Sequence, residues 1–177
     1  MTAVGARHLE YVLDKPTMPQ YFRDDLEIDD HVVVYRRAHW DKIGGRARAT
    51  PGVEAKISPN FFSDYPEDAA RKLGYEGPCM SVGLGSVLEE LGLDPSVMLA
   101  GYDDREYGLT RTRVGDLRQL KRASGESCPQ GIMASPTKAE PWHGVVFDLN
   151  YRPRKDPVRK AIARVSTWQI PLIVVDE

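Results

Sequence analysis

Two apolar runs rich in β-branched residues stand out in an otherwise polar chain. The first covers Val32–Arg37 and stops abruptly at charge, and the second covers Gly144–Asp148. Short runs of this kind, bounded by polar residues, are typical of buried strands, and the uninterrupted second run favours a central position in a sheet. A third run, Leu172–Val175, is predicted as a final edge strand.

The strongest helical pattern in the sequence begins at Asp156. Its apolar residues, at positions 158, 161, 162 and 165, fall on one face, and its basic residues fall on the other. We expect Asp156 to cap this amphipathic C-terminal helix and Pro157 to take its first helical position.

Shorter elements precede this helix. Proline and acids at the start, with bases and glycine at the end, predict a helix over Pro66–Gly74. The capping-box spacing of Ser86–Glu89 predicts a second helix, ending at Gly92. Asp94–Leu99 is typical of a helical turn, and Val114–Leu120 of a one-sided helix, whereas Ile57–Phe62 is expected to be a short strand or a turn.

These elements predict an α+β fold with one domain, which is the default for a chain of 177 residues. Residues 1–30 are expected to form a polar lead-in whose acidic cluster, Asp24–Asp30, is a solvated turn. The domain itself then covers 31–177. The glycine-rich stretch Gly44–Gly52 shows no periodicity and is a candidate lid.

Composition narrows the classes of partner. The formal net charge of -2 gives no strong signal for nucleic acid or an anionic membrane, and no segment is apolar enough to span a bilayer. We therefore expect a cytoplasmic protein that holds any anion locally. Cys79 and Cys128 are predicted to be reduced, and the four histidines show no metal-ligand spacing, so no metal is expected.

The end of the first strand is the leading candidate for a binding site. Arg37 and His39 share one face of an extended chain and Arg36 points to the other. Guanidinium groups form two-pronged hydrogen bonds with phosphate or carboxylate, which favours an anion site. The alternative is a solvated strand end on which His39 packs against Trp40.

A second group of candidate residues precedes the later strand. Glu140, Trp142 and His143 bring together a carboxylate, an indole and an imidazole, so that His143 could act as an acid or base. Trp142 is either a core residue or a stacking surface for a ring. A thiol nucleophile at Cys79, served by His143 and Asp148, is a further hypothesis.

The order of several segments resembles the type VI secretion effector toxins with an ADP-ribosyltransferase-like fold. The segments are the early strand ending at Tyr35-Arg36, the middle stretch Gly77–Val82 leading to Val87-Leu88, and Ile132–Pro136 before a terminal helix over Val158–Trp168.

The resemblance implies a split, mostly antiparallel sheet with short flanking helices around an NAD cleft. It implies Arg36 or Arg37 at the cofactor phosphates and Ser81 near the nicotinamide ribose. The chain lacks the Glu-x-Glu or Gln-x-Glu pair of these enzymes, and Glu140 is the nearest substitute by position.

Two functions are therefore predicted. The first is an ADP-ribosyltransferase-like toxin or bacterial conflict-system component with NAD as cofactor and a protein partner such as an antitoxin, an immunity protein or a target. The alternative is a non-catalytic interaction or immunity module that uses its tryptophans and arginines to bind another protein.

Overall fold

Six strands form one antiparallel sheet in the computed structural model, which describes residues 21–39 and 54–172. The spatial order of the strands is β4-β5-β2-β1-β3-β6. The strands are β1 (Val33–His39), β2 (Cys79–Leu84), β3 (Tyr107–Arg113), β4 (Gln130–Ala134), β5 (His143–Asp148) and β6 (Thr167–Ile170).

Short helices flank this sheet. They are α1 (Glu67–Lys72), α2 (Gly85–Glu90), α3 (Val114–Arg118) and α4 (Asp156–Val165), with 3₁₀ helices at Pro59–Phe62 and Pro95–Leu99. None of the helices in the described ranges is long and apolar enough to cross a membrane. The architecture confirms the predicted α+β single domain with a mostly antiparallel sheet.

The sheet consists of two three-stranded halves with a narrow joint. β1 pairs with β3 along all seven of its residues, and β2 pairs with β5 at five positions. In contrast, β1 and β2 pair only at Val34–Leu84 and Tyr35–Gly83. Beyond Tyr35 the two strands diverge, so the sheet divides between the half β4-β5-β2 and the half β1-β3-β6.

The core lies on both sides of the sheet because side chains alternate along each strand. The larger cluster includes Val34, Leu84 and Leu109 from the strands and Ile162 from α4, each almost fully buried. A smaller cluster on Phe147 includes Phe22, whose ring stacks on it at a centroid distance of 4.9 Å.

Several local predictions are confirmed. The runs at Val32–Arg37 and Gly144–Asp148 are β1 and β5, and β5 is flanked by strands on both sides. The helix over Pro66–Gly74 forms as α1 and is followed by Gly74 with a positive φ of 85°. Asp94 caps its 3₁₀ helix by accepting from the Ser96 amide.

Other local predictions are wrong. Ser86 lies inside α2, whose N-cap is Leu84, because β2 leads directly into the helix. Asp156 lies in the first turn of α4, where it pairs with Lys160 at 2.6 Å instead of capping. The terminal helix ends at Val165, and the chain then turns extended to form β6.

The predicted polar lead-in packs against the domain where it is described. Phe22 and Ile28 are buried, and Asp24 accepts both the Ile132 amide and the Arg118 guanidinium. The acidic cluster is therefore partly bound to the domain. Four predictions fall outside the described residues, namely those on residues 1–20, on Trp40, on the candidate lid and on positions 173–175.

Candidate functional site

The divergence of β1 from β2 creates the setting for the candidate site. The segment between Pro59 and Pro66 lies against the parted strands, and the Tyr65 amide donates to the Cys79 carbonyl at 2.8 Å. This bond satisfies a carbonyl of β2 that has no strand partner on that side.

Arg36 satisfies the next carbonyl of β2. Its Nη1 donates to the Ser81 carbonyl at 2.6 Å, while Nε donates to Phe61 at 2.9 Å and Nη2 to Ser63 at 3.4 Å. The guanidinium therefore replaces the ladder hydrogen bonds that a closer pairing of the strands would make. Among the described residues it contacts no carboxylate.

Burial lowers the pKa of Arg36 to about 10, so the side chain remains a cation at neutral pH. Asp64 is close enough to act on the Arg36 charge, but it is paired with Arg154. Two guanidinium groups thus face one carboxylate, and the local charge is net positive. The arrangement favours an anion in the adjoining space.

A cleft of about 230 Å³ opens beside Arg36. Arg37 and His39 line it from β1. The opposite wall is the first 3₁₀ helix together with the segment after it, and the lining residues there are Asn60, Phe61, Ser63, Asp64, Tyr65 and Pro66. A larger hollow of about 340 Å³ lies between α3 and α4 and contains none of the predicted site residues.

Arg37 is the more accessible of the two arginines, with 22% of its side chain exposed. Its Nη2 donates to Glu140 Oε1 at 2.7 Å, and its Nη1 donates to the Tyr102 hydroxyl. The guanidinium carbon lies 4.8 Å from the centre of the Tyr102 ring. Both arms of the guanidinium fork therefore have partners.

The aromatic groups beside Arg37 continue toward His39. Tyr102 and Tyr107 have ring centroids 4.7 Å apart, and Tyr107 lies 4.6 Å from the His39 ring. His39 Nε2 also lies 3.7 Å from Glu106 Oε2. The rings of Tyr102, Tyr107 and His39 thus form a row that runs from Arg37 to Glu106.

Glu140 reaches Arg37 from the β4–β5 connection. Its amide donates to Thr137 Oγ1 at 2.9 Å, and its carbonyl accepts the Thr137 and His143 amides at 3.1 and 3.0 Å. The turn fixes the backbone of Glu140, and 28% of the side chain is exposed.

The other predicted site residues lie away from the cleft surface. Ser81 lies behind Tyr65; burial raises the Tyr65 pKa, and a hydrogen bond with Ser81 acts against that rise. Trp142 is 9% exposed and packs near Gly83 and Met98, so its ring offers no stacking surface.

His143 occupies a structural position. It is 6% exposed, and its Nδ1 lies 2.7 Å from the Ser135 carbonyl, which assigns the ring proton to Nδ1. Burial lowers its pKa, so the ring is neutral at physiological pH. Of Arg37, Ser81 and His143, only Arg37 lines the cleft.

The thiol hypothesis is also corrected by burial. Cys79 is completely buried in β2, and this burial raises its pKa to about 12. The thiolate required of a nucleophile is therefore absent at neutral pH. No group of metal-binding side chains is found among the residues that the structure describes.

Several cleft residues were missed at the level of sequence. Ser63, Asp64 and Tyr65 follow a segment expected to be a strand or turn, and no local pattern marks them as part of a site. Tyr102, which contacts Arg37, carries a usable signal, because Gly101 and Asp103 around it are typical of a surface turn that displays a ring.

Comparisons of this chain with protein-family models, curated proteins and solved structures found no match. The functional interpretation therefore depends on the residues of the cleft and on the resemblance described above.

Proposed function

We propose that this chain is an ADP-ribosyltransferase-like toxin that binds NAD in the cleft where β1 and β2 diverge. The observation that carries the proposal is the pair Arg36 and Arg37 at the parted edge of the sheet, one of them without a carboxylate partner among the described residues. The cleft supplies positive charge on one wall and, on the other, polar groups with the Asp64 carboxylate paired to Arg154.

The chemistry of NAD suits this wall. Its diphosphate carries two negative charges, and the Arg37 guanidinium offers a fork that matches phosphate oxygens. Arg36 adds positive charge that attracts the diphosphate, and it keeps its hydrogen bonds to the three carbonyl groups. His39, at the same edge, is the third polar group assigned to binding.

Glu140 is assigned the role of the carboxylate. In ADP-ribosyl transfer, the bond between the nicotinamide nitrogen and the ribose carbon breaks and nicotinamide leaves with the bonding pair. An acceptor oxygen or nitrogen forms the new bond to that carbon and loses its proton. A carboxylate beside the ribose stabilises the positive charge that develops during this exchange.

His143, Trp142 and Cys79 have no part in the proposed reaction. Burial and the contact with Ser135 give His143 a structural role. Ser81 is assigned no contact with NAD, and its side chain hydrogen-bonds with Tyr65. A protein partner, as antidote, immunity protein or target, remains a prediction of the resemblance.

Binding of NAD is tested by thermal denaturation of the purified protein. We expect millimolar NAD to raise the Tm of the wild type, because a ligand that binds only the folded state stabilises it by mass action. Arg37→Ala should abolish the shift. The matched control is Arg71→Ala, since Arg71 lies on α1 with 73% of its side chain exposed.

Growth of bacteria that express the chain tests the toxin itself. We expect growth arrest with the wild type and recovery with Arg37→Ala, while Arg71→Ala stays toxic. Normal growth with the wild type, together with no Tm shift in NAD, would overturn the proposal and favour the non-catalytic interaction module.

A further inference from the structure

We infer that Glu140 occupies the phosphate-binding fork of Arg37 and must be displaced when an anionic ligand enters the cleft. The inference rests on the proposed function for the identity of the ligand. It assigns to the ion pair a role as a latch, defined here as the contact among Arg37, Glu140 and Tyr102.

The latch crosses the division of the sheet. Arg37 belongs to the half β1-β3-β6, whereas Glu140 belongs to the β4–β5 connection of the other half. The Nη2–Oε1 distance is 2.7 Å, and neither side chain is fully buried. The pair therefore joins the two halves beyond the last residues at which β1 and β2 pair.

Ligand binding requires an exchange at Arg37. A guanidinium has five N–H donors, and the contacts with Glu140 and the Tyr102 hydroxyl use one on each terminal nitrogen of Arg37. A phosphate that approaches this end of the guanidinium therefore meets the Glu140 carboxylate. The Tyr102 hydroxyl can share the guanidinium with a phosphate, whereas the Glu140 carboxylate, which is ion-paired with Arg37, repels a phosphate at the same position. Glu140 is therefore the group that the ligand displaces.

The exchange involves the side chain alone. The backbone of Glu140 is fixed by the Thr137 and His143 contacts, so rotation of its side chain is enough to break the pair. The carboxylate becomes available at the rim only when an anion has taken its place on Arg37. Phosphate binding and delivery of the carboxylate are thereby coupled.

Affinity measurements on Glu140→Gln test the latch. Titration calorimetry with NAD and, separately, with inorganic pyrophosphate should give a Kd about tenfold lower for Glu140→Gln than for wild type, equivalent to about 1.4 kcal/mol. Glutamine keeps the length of the side chain and removes its charge. Transfer activity should fall while affinity rises, which a merely structural role would not produce.

Glu126→Gln is the matched control. Glu126 pairs with Arg122 at 2.8 Å, so its substitution removes the same charge from a similar ion pair. We expect its affinity for both probes to remain within about twofold of wild type, which is within the usual scatter for a remote surface change. Glu140→Asp, which retracts the carboxylate by one methylene, should give an intermediate affinity and serves if Glu140→Gln fails to fold.

The outcomes separate this inference from the proposed function. If wild type binds NAD but neither Glu140 variant binds either probe more tightly, the latch is overturned and the proposed function stands. If the variants bind pyrophosphate more tightly while no form binds NAD, the latch is supported and the proposed function falls. If no form binds either probe, both are overturned.

Discussion

At the scale of single residues, burial separates the groups that can meet a ligand from those that support the fold. Arg36 and Arg37 are adjacent in sequence, yet one is fixed to three carbonyl groups and the other faces the cleft rim. His143 and Cys79 have reactive side chains that burial keeps neutral. Residue type alone therefore does not identify the chemistry of this site.

His143 gives the protein a specific dependence of stability on pH. Its pKa in the folded protein lies below the ordinary value of 6.5, so between these two values the unfolded chain binds more protons. The contribution of His143 to the free energy of unfolding is complete above about pH 6.5 and is lost as the pH falls.

Urea denaturation at pH 7.5 and pH 5.5 checks this prediction. We expect His143→Gln, whose amide can still donate to Ser135, to lose less stability on acidification than wild type. His31→Gln is the control because His31 is exposed in a turn. Equal losses in wild type and His143→Gln would contradict the prediction.

At the scale of elements, the contact between β1 and α2 defines the joint of the sheet. A Cβ added at Gly85 would lie 2.6 Å from the Val33 carbonyl oxygen and 3.2 Å from the Tyr35 ring. Only glycine lets the start of α2 approach β1 this closely, beside the Val34–Leu84 pair.

Gly85→Ala should therefore strain the joint. We expect a loss of about 1–3 kcal/mol in the free energy of unfolding, typical of overpacking against backbone. Chemical denaturation measures it, with Ser86→Ala in the same helix expected within about 0.5 kcal/mol of wild type. A Gly85→Ala protein as stable as wild type would show that β1 and α2 are less closely packed.

At the scale of the whole molecule, the segment between the parted strands is anchored by a buried ion pair. Arg154 has no exposed side-chain surface and donates to Asp64 and, at 3.0 Å, to the Gln130 side chain. Asp64 also accepts the Arg154 amide at 2.8 Å. This pair ties the cleft wall to the half of the sheet that contains β4.

Arg154→Met should cost about 3–5 kcal/mol of stability, because it leaves the Asp64 carboxylate without its buried partner. The double variant Asp64→Asn with Arg154→Met should recover part of the loss. Arg71→Met is the control, since Arg71 and its ion-pair partner Glu67 are both exposed, and it should change stability by less than about 1 kcal/mol. A loss below 1 kcal/mol for Arg154→Met would contradict the anchoring role.

The sequence predicts the elements whose signal is local. β1, β5 and α4 carry continuous or periodic apolar patterns, and such patterns indicate a strand or a helix without reference to distant residues. β2 and β4 are interrupted by glycine, and β3 mixes threonine with arginine, so their strand character depends on partners distant in sequence. Hydrogen bonding to distant strands stabilises the extended conformation of these segments, which their local sequence does not specify.

The candidate site was predictable only in part. Arg36, Arg37 and His39 were found because a strand ended in charge, and their place at the cleft follows from that strand. Ser63, Asp64 and Tyr65 reach the same cleft only because β1 and β2 diverge, a feature of tertiary structure. Trp142 and His143 lie near in sequence to Glu140, but tertiary packing buries both side chains.

The strands of the two halves alternate along the chain, and this order determines when each half can form during synthesis. The chain passes from one half to the other at every strand connection except that between β4 and β5. Consequently no continuous stretch builds either half alone, and the half with β1 is incomplete until β6 has been synthesised. A growing chain on the ribosome therefore cannot assemble the Arg37 wall early, and pairings between distant segments set the pace of its folding.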